Sequence, residues 1–300
     1  MPPGGYAWWY VDALSDDGTH GLTVIAFVGS VFSPYYAWAR GRGRAEPENH
    51  VALNVALYGP RARWTMTERG RAALARDATS WRVGRSSLAW DGAALTIAID
   101  EIAVPLPRRV RGVVRVLPAA LPASPFVLDP GRRHVWTPLA PHARVEVAMR
   151  EPALLWSGHG YLDSNAGAEP LEDGFRFWTW SRATIGSGTG VLYDVERRDG
   201  SALSLALLFR PDGRIEEREA PPPARLPGTL WRVPRPTRAD AGTDPRLVRT
   251  LEDAPFYARS DVASRLWGKE ARGVHEALAL DRFRQAWVKL LLPFRMPRRG

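Results

Sequence analysis

Apolar and polar side chains take turns along much of this chain. Leu95, Ile97 and Ile99 alternate with Thr96, Ala98 and Asp100, and Leu203, Leu205, Leu207 and Phe209 with Ser204, Ala206 and Leu208. Phe175, Phe177 and Thr179 alternate in the same way with Arg176, Trp178 and Trp180. A period of two sends successive side chains to opposite faces of a strand, so its repetition predicts antiparallel sheet, and more than one of them. Asp17-Gly18, Asp91-Gly92, Asp173-Gly174, Asp199-Gly200 and Asp212-Gly213 punctuate the runs. Such pairs favour tight hairpins because both residues tolerate positive φ. Prolines 118, 122, 125 and 130 suggest a linker or an edge crossing, and prolines 221 to 223, 227, 234 and 236 close a second β segment. From about Asp244 the spacing turns helical, through Leu247, Val248 and Leu251 and then Ala277 to Leu292. The expectation is an all-β chain: antiparallel barrel or sandwich domains at 1–118 and 119–243, then a helical, basic tail at 244–300.

Two segments raise the question of a membrane. Residues 21–39 are uncharged, but strand formers and the breaks at Gly29-Ser30 and Ser33-Pro34 predict a buried strand and an aromatic loop, not a spanning helix. In the tail, Phe283, Ala286, Trp287, Leu290, Leu291 and Phe294 recur at helical spacing, beside Arg282, Arg284, Lys289, Arg295, Arg298 and Arg299. An apolar stripe flanked by cations suits an anionic bilayer surface, and equally a terminal helix packed on its own sheet. The first residues carry no basic region followed by an apolar core, so the expected location is cytoplasmic, with peripheral membrane contact.

Composition narrows the chemistry. The chain of 300 residues has no cysteine, which removes disulfides, thiolate metal sites and thiol nucleophiles. Its formal charge of +9 is almost entirely arginine, Lys269 and Lys289 being the only lysines. Basic charge favours anionic partners, yet no nucleic-acid module is present and none is expected to bind. The six histidines form no close metal pairing, no phosphate loop ends in Lys-Ser/Thr, and no Gly-x-Ser-x-Gly elbow occurs. Thirteen tryptophans are more than a core of this size needs, which leaves aromatic surface to line a cavity.

One region gathers reactive groups among aromatics. His134 and Trp136 lie two apart, as do Tyr161 and Asp163, so each pair shares one face of a strand. A carboxyl in such dry surroundings keeps its proton near neutral pH and becomes a proton donor. A core histidine and a turn aspartate are the structural alternatives.

Longer blocks carry a resemblance. Gly-Gly-Tyr-Ala-Trp-Trp-Tyr-Val-Asp-Ala-Leu-Ser-Asp-Asp-Gly (4–18), Ile-Ala-Phe-Val-Gly-Ser-Val-Phe-Ser-Pro-Tyr-Tyr-Ala-Trp-Ala-Arg (25–40) and Leu-Asn-Val-Ala-Leu-Tyr-Gly (53–59) resemble the carotenoid 1,2-hydratases of purple photosynthetic bacteria. So do Trp-Thr-Met-Thr-Glu-Arg-Gly (64–70), Trp-Ser-Gly-His-Gly-Tyr-Leu-Asp-Ser-Asn (156–165), Phe-Trp-Thr-Trp-Ser-Arg (177–182) and Ala-Pro-Phe-Tyr-Ala-Arg-Ser (254–260). The Gly-Tyr-Leu-Asp and Trp-Ser-Arg blocks are shared more widely, with lipocalin-like cyclisation catalysts. The resemblance implies two lipocalin-like β domains and cofactor-free addition of water to the terminal double bond of neurosporene or lycopene. It implies functional roles for His134, Trp136, Tyr161 and Asp163; beyond the resemblance, Trp178, Trp180 and Tyr193 are expected to line a groove for the polyene. Any leader carried by relatives is expected to be missing, the first motif lying so near the start. A lipocalin-like cyclase or isomerase of a polyene, or a carotenoid carrier without chemistry, are the competing expectations.

Overall fold

Alternating runs become strands wherever their apolar face finds a partner, and the computed structural model describes the outcome for residues 1–299; Gly300, the end of the predicted tail, lies outside the described residues. The strands are β1 (Tyr6–Ser15), β2 (Gly21–Val28), β3 (Val51–Tyr58), β4 (Arg63–Arg69), β5 (Leu74–Arg76), β6 (Ser80–Val83), β7 (Ser86–Trp90), β8 (Leu95–Ile102), β9 (Arg109–Pro118), β10 (Phe126–Val127), β11 (His134–Glu151) and β12 (Leu154–Gly167). They continue as β13 (Phe175–Ile185), β14 (Gly188–Arg197), β15 (Ala202–Phe209), β16 (Ile215–Glu217), β17 (Pro223–Arg225), β18 (Pro236–Arg238), β19 (Arg246–Asp253), β20 (Tyr257–Leu266), β21 (Lys269–Ala279) and β22 (Arg298–Arg299). Helices are short: α1 (Pro34–Arg40), α2 (Leu171–Gly174), α3 (Leu280–Phe283) and α4 (Ala286–Leu291). The chain is all-β with small C-terminal helices, as the alternation predicts.

Turn chemistry explains the hairpins. Gly18, Gly92, Gly200 and Gly213 all have positive φ and join β1 to β2, β7 to β8, β14 to β15 and β15 to β16. In each, the preceding aspartate accepts a backbone N–H two residues on, which holds the bend. Asp173-Gly174 differs, for it lies in α2. The predicted aromatic loop after β2 is instead a helix: Ser33 Oγ accepts the Tyr36 N–H and Pro34 opens the first turn of α1.

Two compact units result, one comprising Met1–Pro170 with the segment from Leu290 and the other Leu171–Lys289. This differs from the expected boundaries at 118 and 243. The proline-rich stretch after Pro118 is no domain linker, because β11 returns to pair with β9, Ala143 opposite Pro118 and Val147 opposite Val114. β12 then inserts between β11 and β1. Nor is 244–279 helical: β19, β20 and β21 pair in series, and β21 joins β13. Pairing of β19 with β20 overrides the local helical spacing of Leu247, Val248 and Leu251.

In the first unit the sheet runs β22-β4-β3-β2-β1-β12-β11-β9-β8-β7-β6-β5. It curls until β4 meets the end of β8, where Val104 N–H donates to Trp64 O at 2.9 Å and Arg69 pairs with the buried Glu101. Val11, Leu22, Leu53, Ile97, Val114 and Val145 meet in one apolar core. The second unit orders its sheet β16-β15-β14-β13-β21-β20-β19 around a smaller core that includes Ile185, Leu192 and Leu208.

The C-terminal stripe is divided. Phe283, Val288, Leu292 and Met296 are buried, whereas Trp287, Leu290, Leu291 and Phe294 remain exposed. The predicted single helix is broken into α3, α4 and a 3-10 turn at Leu292–Phe294. Among the described residues no helix is long and apolar enough to cross a membrane.

Candidate active site

Strand β1 is buried on both faces, and that is what creates the site. Val11 and Ala13 enter the apolar core with Trp9 packed against them, so alternation sends Tyr6, Trp8, Tyr10 and Asp12 the other way. All four are nevertheless buried. β12 does the same: Leu162 joins the core, while Tyr161, Asp163 and Asn165 share the face of Tyr10 and Asp12. The result is a second interior surface, made of rings and carboxyls.

Asp163 is its centre. Only 3% exposed, its Oδ2 accepts Trp136 Nε1–H at 2.7 Å and Tyr161 O–H at 2.8 Å. Trp136 and Tyr161 are themselves fully buried. Two donors meeting on one oxygen are an arrangement that can hold a carboxylate. Burial above all raises the Tyr161 phenol well above its ordinary value, so it stays a neutral donor. Pro138 stands opposite Asp163 and has no N–H to offer, and the ladder between β11 and β12 shifts register just beyond it. A bulge of this kind re-aims side chains beside it.

His134 lies elsewhere on the same surface. It pairs with Gly167, four residues along β12 from Asp163, or about 13 Å at the rise of a strand. Its Nδ1 meets Tyr6 O–H at 2.8 Å, and Nε2 faces Glu169 at 3.3 Å. Burial pushes the imidazole down and outweighs the opposing pull of Glu169, so the ring is neutral at pH 7. A Cβ at position 167 would come within 2.4 Å of the Tyr6 ring and 2.8 Å of His134 Nδ1, so this contact requires a glycine.

The structure therefore brings Trp136, Tyr161 and Asp163 into contact and sets His134 at a distance along the strands. Trp178, Trp180 and Tyr193 belong to the second unit, on β13 and β14, where all three are buried and Trp178 packs on Phe175 and Tyr193. Tyr6, Tyr10, Asp12 and Glu169 were not anticipated from sequence. One signal was available: Tyr10-Val11-Asp12 repeats the spacing of Tyr161-Leu162-Asp163. Among the described residues no group of three or more His, Asp or Glu side chains is placed to hold a metal ion.

A two-unit, lipocalin-like β protein with a buried acid among aromatic rings is the class these features define. Its fold is that of an AttH-designated protein of Nitrosomonas europaea, with a TM-score of 0.65 at 14% identity over 92% of each chain. Kievitone hydratase of Nectria haematococca gives a TM-score of 0.58 at 10% identity, covering 94% of this chain and 92% of that one. The family model of carotenoid hydratase CrtC matches residues 24–300. Acyclic carotenoid 1,2-hydratase of Thiocapsa roseopersicina is 61% identical over all of this chain and 75% of its own length. The enzyme of the same name from Rubrivivax gelatinosus is 55% identical with the same coverage. The chain belongs to the carotenoid hydratase family.

Proposed function

We propose that this chain is a hydro-lyase that adds water across the terminal 1,2 double bond of acyclic carotenoids such as neurosporene and lycopene. Support comes from the relatives' shared name and, in this chain, from a buried carboxyl whose Oδ2 takes two donors. A trisubstituted alkene is a weak base, so the reaction begins with an acid placed in a dry site. Asp163 gives its proton to C2, leaving a tertiary cation at C1. The Trp136 and Tyr161 rings stabilise that charge by about 1–2 kcal/mol each in a desolvated pocket, while their polar hydrogens hold the new carboxylate. Water captures C1 and sheds one proton. His134 shapes the far end of the aromatic wall through Tyr6. Trp178, Trp180 and Tyr193 are assigned to polyene binding in this proposal, as an aromatic cluster of the second unit.

A C40 hydrocarbon resides in the bilayer, so peripheral docking belongs to the same proposal. Trp287, Leu290, Leu291 and Phe294 are exposed beside Lys289, Arg295 and Arg299, a combination suited to anionic lipid.

Incubation with lycopene in water enriched in heavy oxygen tests the chemistry. The expected product is an alcohol carrying the solvent isotope. A rearranged polyene without solvent oxygen would point to a cyclase or isomerase, and unchanged lycopene bound to the protein would point to a carrier.

A further inference from the structure

We infer that Asp12 is the general base of the hydration, taking the proton that the attacking water sheds; this rests on the reading of Asp163 as the acid. β1 and β12 pair so that Tyr10 stands opposite Asp163 and Asp12 opposite Tyr161. Each strand carries tyrosine and aspartate two residues apart, and in each the phenol donates to the carboxylate beyond it: Tyr10 to Asp12 Oδ2 at 2.9 Å, Tyr161 to Asp163 Oδ2 at 2.8 Å. The two phenol rings meet edge to face, 6.2 Å between centroids. Asp12 is fully buried. The site thus holds two acids with matching partners on neighbouring strands.

Adding water to an alkene needs an acid at one carbon and a base near the next. Asp163 serves poorly as both, because after protonating C2 its carboxylate is held by two donors. His134 is too far along the strands. Asp12 is the diagonal neighbour of Asp163, and such residues stand about 7–8 Å apart, their Cβ atoms somewhat less. At a separation of that order a water molecule fits between two carboxyls, as in acid–base hydrolysis of glycosides. The inferred reaction starts from a protonated Asp163 and an ionised Asp12.

The steps balance without any further reactant. The O–H bond of Asp163 breaks, C2–H forms, and the π electrons leave C1 cationic. The water oxygen bonds to C1, one of its O–H bonds breaks, and that proton goes to Asp12. At the end Asp12 is protonated and Asp163 ionised. The cycle closes when Asp12 releases that proton to water and Asp163 takes one up from water.

The test uses the full chain with lycopene in micelles, reading turnover and, separately, carotenoid binding by quenching of tryptophan fluorescence. In Asp12→Asn, turnover should fall at least 100-fold while binding stays within threefold of the parent. In Asp12→Ala, added formate should restore turnover at least tenfold, which repair of a purely structural carboxyl would not do. Turnover of Asp12→Asn within threefold of the parent overturns the inference. So does loss of binding in step with turnover, or failure of formate to rescue Asp12→Ala. Asp163→Asn is measured alongside: an active Asp163 variant removes the acid reading itself, whereas an inactive one beside an active Asp12→Asn overturns this inference alone.

Discussion

The two units each bury an ionisable side chain, and they surround it differently. In the first, Asp163 meets two hydrogen-bond donors on one oxygen and aromatic faces around it. In the second, His275 is 2% exposed and neither ring nitrogen has a hydrogen-bond partner among the described residues. Burial first, and then the nearby Arg235, pushes His275 down to about 4. Arg235 itself is buried and is satisfied by Pro227 O, Gly228 O, Thr250 and Ser260. Burial alone therefore only chooses a protonation state. To make an acid do work, partners must be set where charge appears and disappears.

The sharpest way to break the contrast is Asp163→Asn. Hydration should fall by at least about 1000-fold, equivalent to roughly 4 kcal/mol of barrier, with the melting temperature nearly unchanged. Near-parent turnover would reduce Asp163 to a structural residue.

The opposite behaviour is expected of His275. Its folded value lies below the ordinary 6.5, so the unfolded chain binds a proton that the native one refuses. Stability is then whole above about pH 6.5 and declines as pH falls toward 4, by on the order of 3 kcal/mol in full. Thermal melts of His275→Gln should show a smaller drop between pH 7 and pH 4.5 than the parent, with hydration at pH 7 within threefold. An equal drop in both proteins would remove His275 as the cause.

Smaller effects sharpen the first half of the comparison. Trp136→Phe and Tyr161→Phe each remove one donor from Asp163 Oδ2 but keep a ring, and each should slow turnover about 10- to 100-fold. Initial rates on lycopene decide this, and losses confined to protein yield would mark both residues as packing. The smallest change is expected at the surface. Trp287→Ala with Phe294→Ser should weaken flotation with anionic liposomes several-fold, and salt should weaken the parent in the same direction. Undiminished flotation would release these residues from a docking role.

Much of this protein was legible as text. Period-two alternation predicted strands, four Asp-Gly pairs marked their hairpins, and the acid among aromatics at 134–165 drew attention to Asp163 before its surroundings were known. These are local properties, written in neighbouring residues, and the solvent-averse pattern is the same whatever the strand later pairs with. Partnership is not local. That β12 slots between β1 and β11, that 246–279 becomes strand, and that Tyr10 and Asp12 come to face Asp163 and Tyr161 are decided by ladders, of which β1 with β12 joins residues about 150 positions apart and β13 with β21 about 100. Alternation divides a strand into two faces without saying which is wet, and here neither face of β1 is. Only the curled sheet, by choosing register, turned an ordinary repeat of tyrosine and aspartate into two carboxyls set diagonally across neighbouring strands.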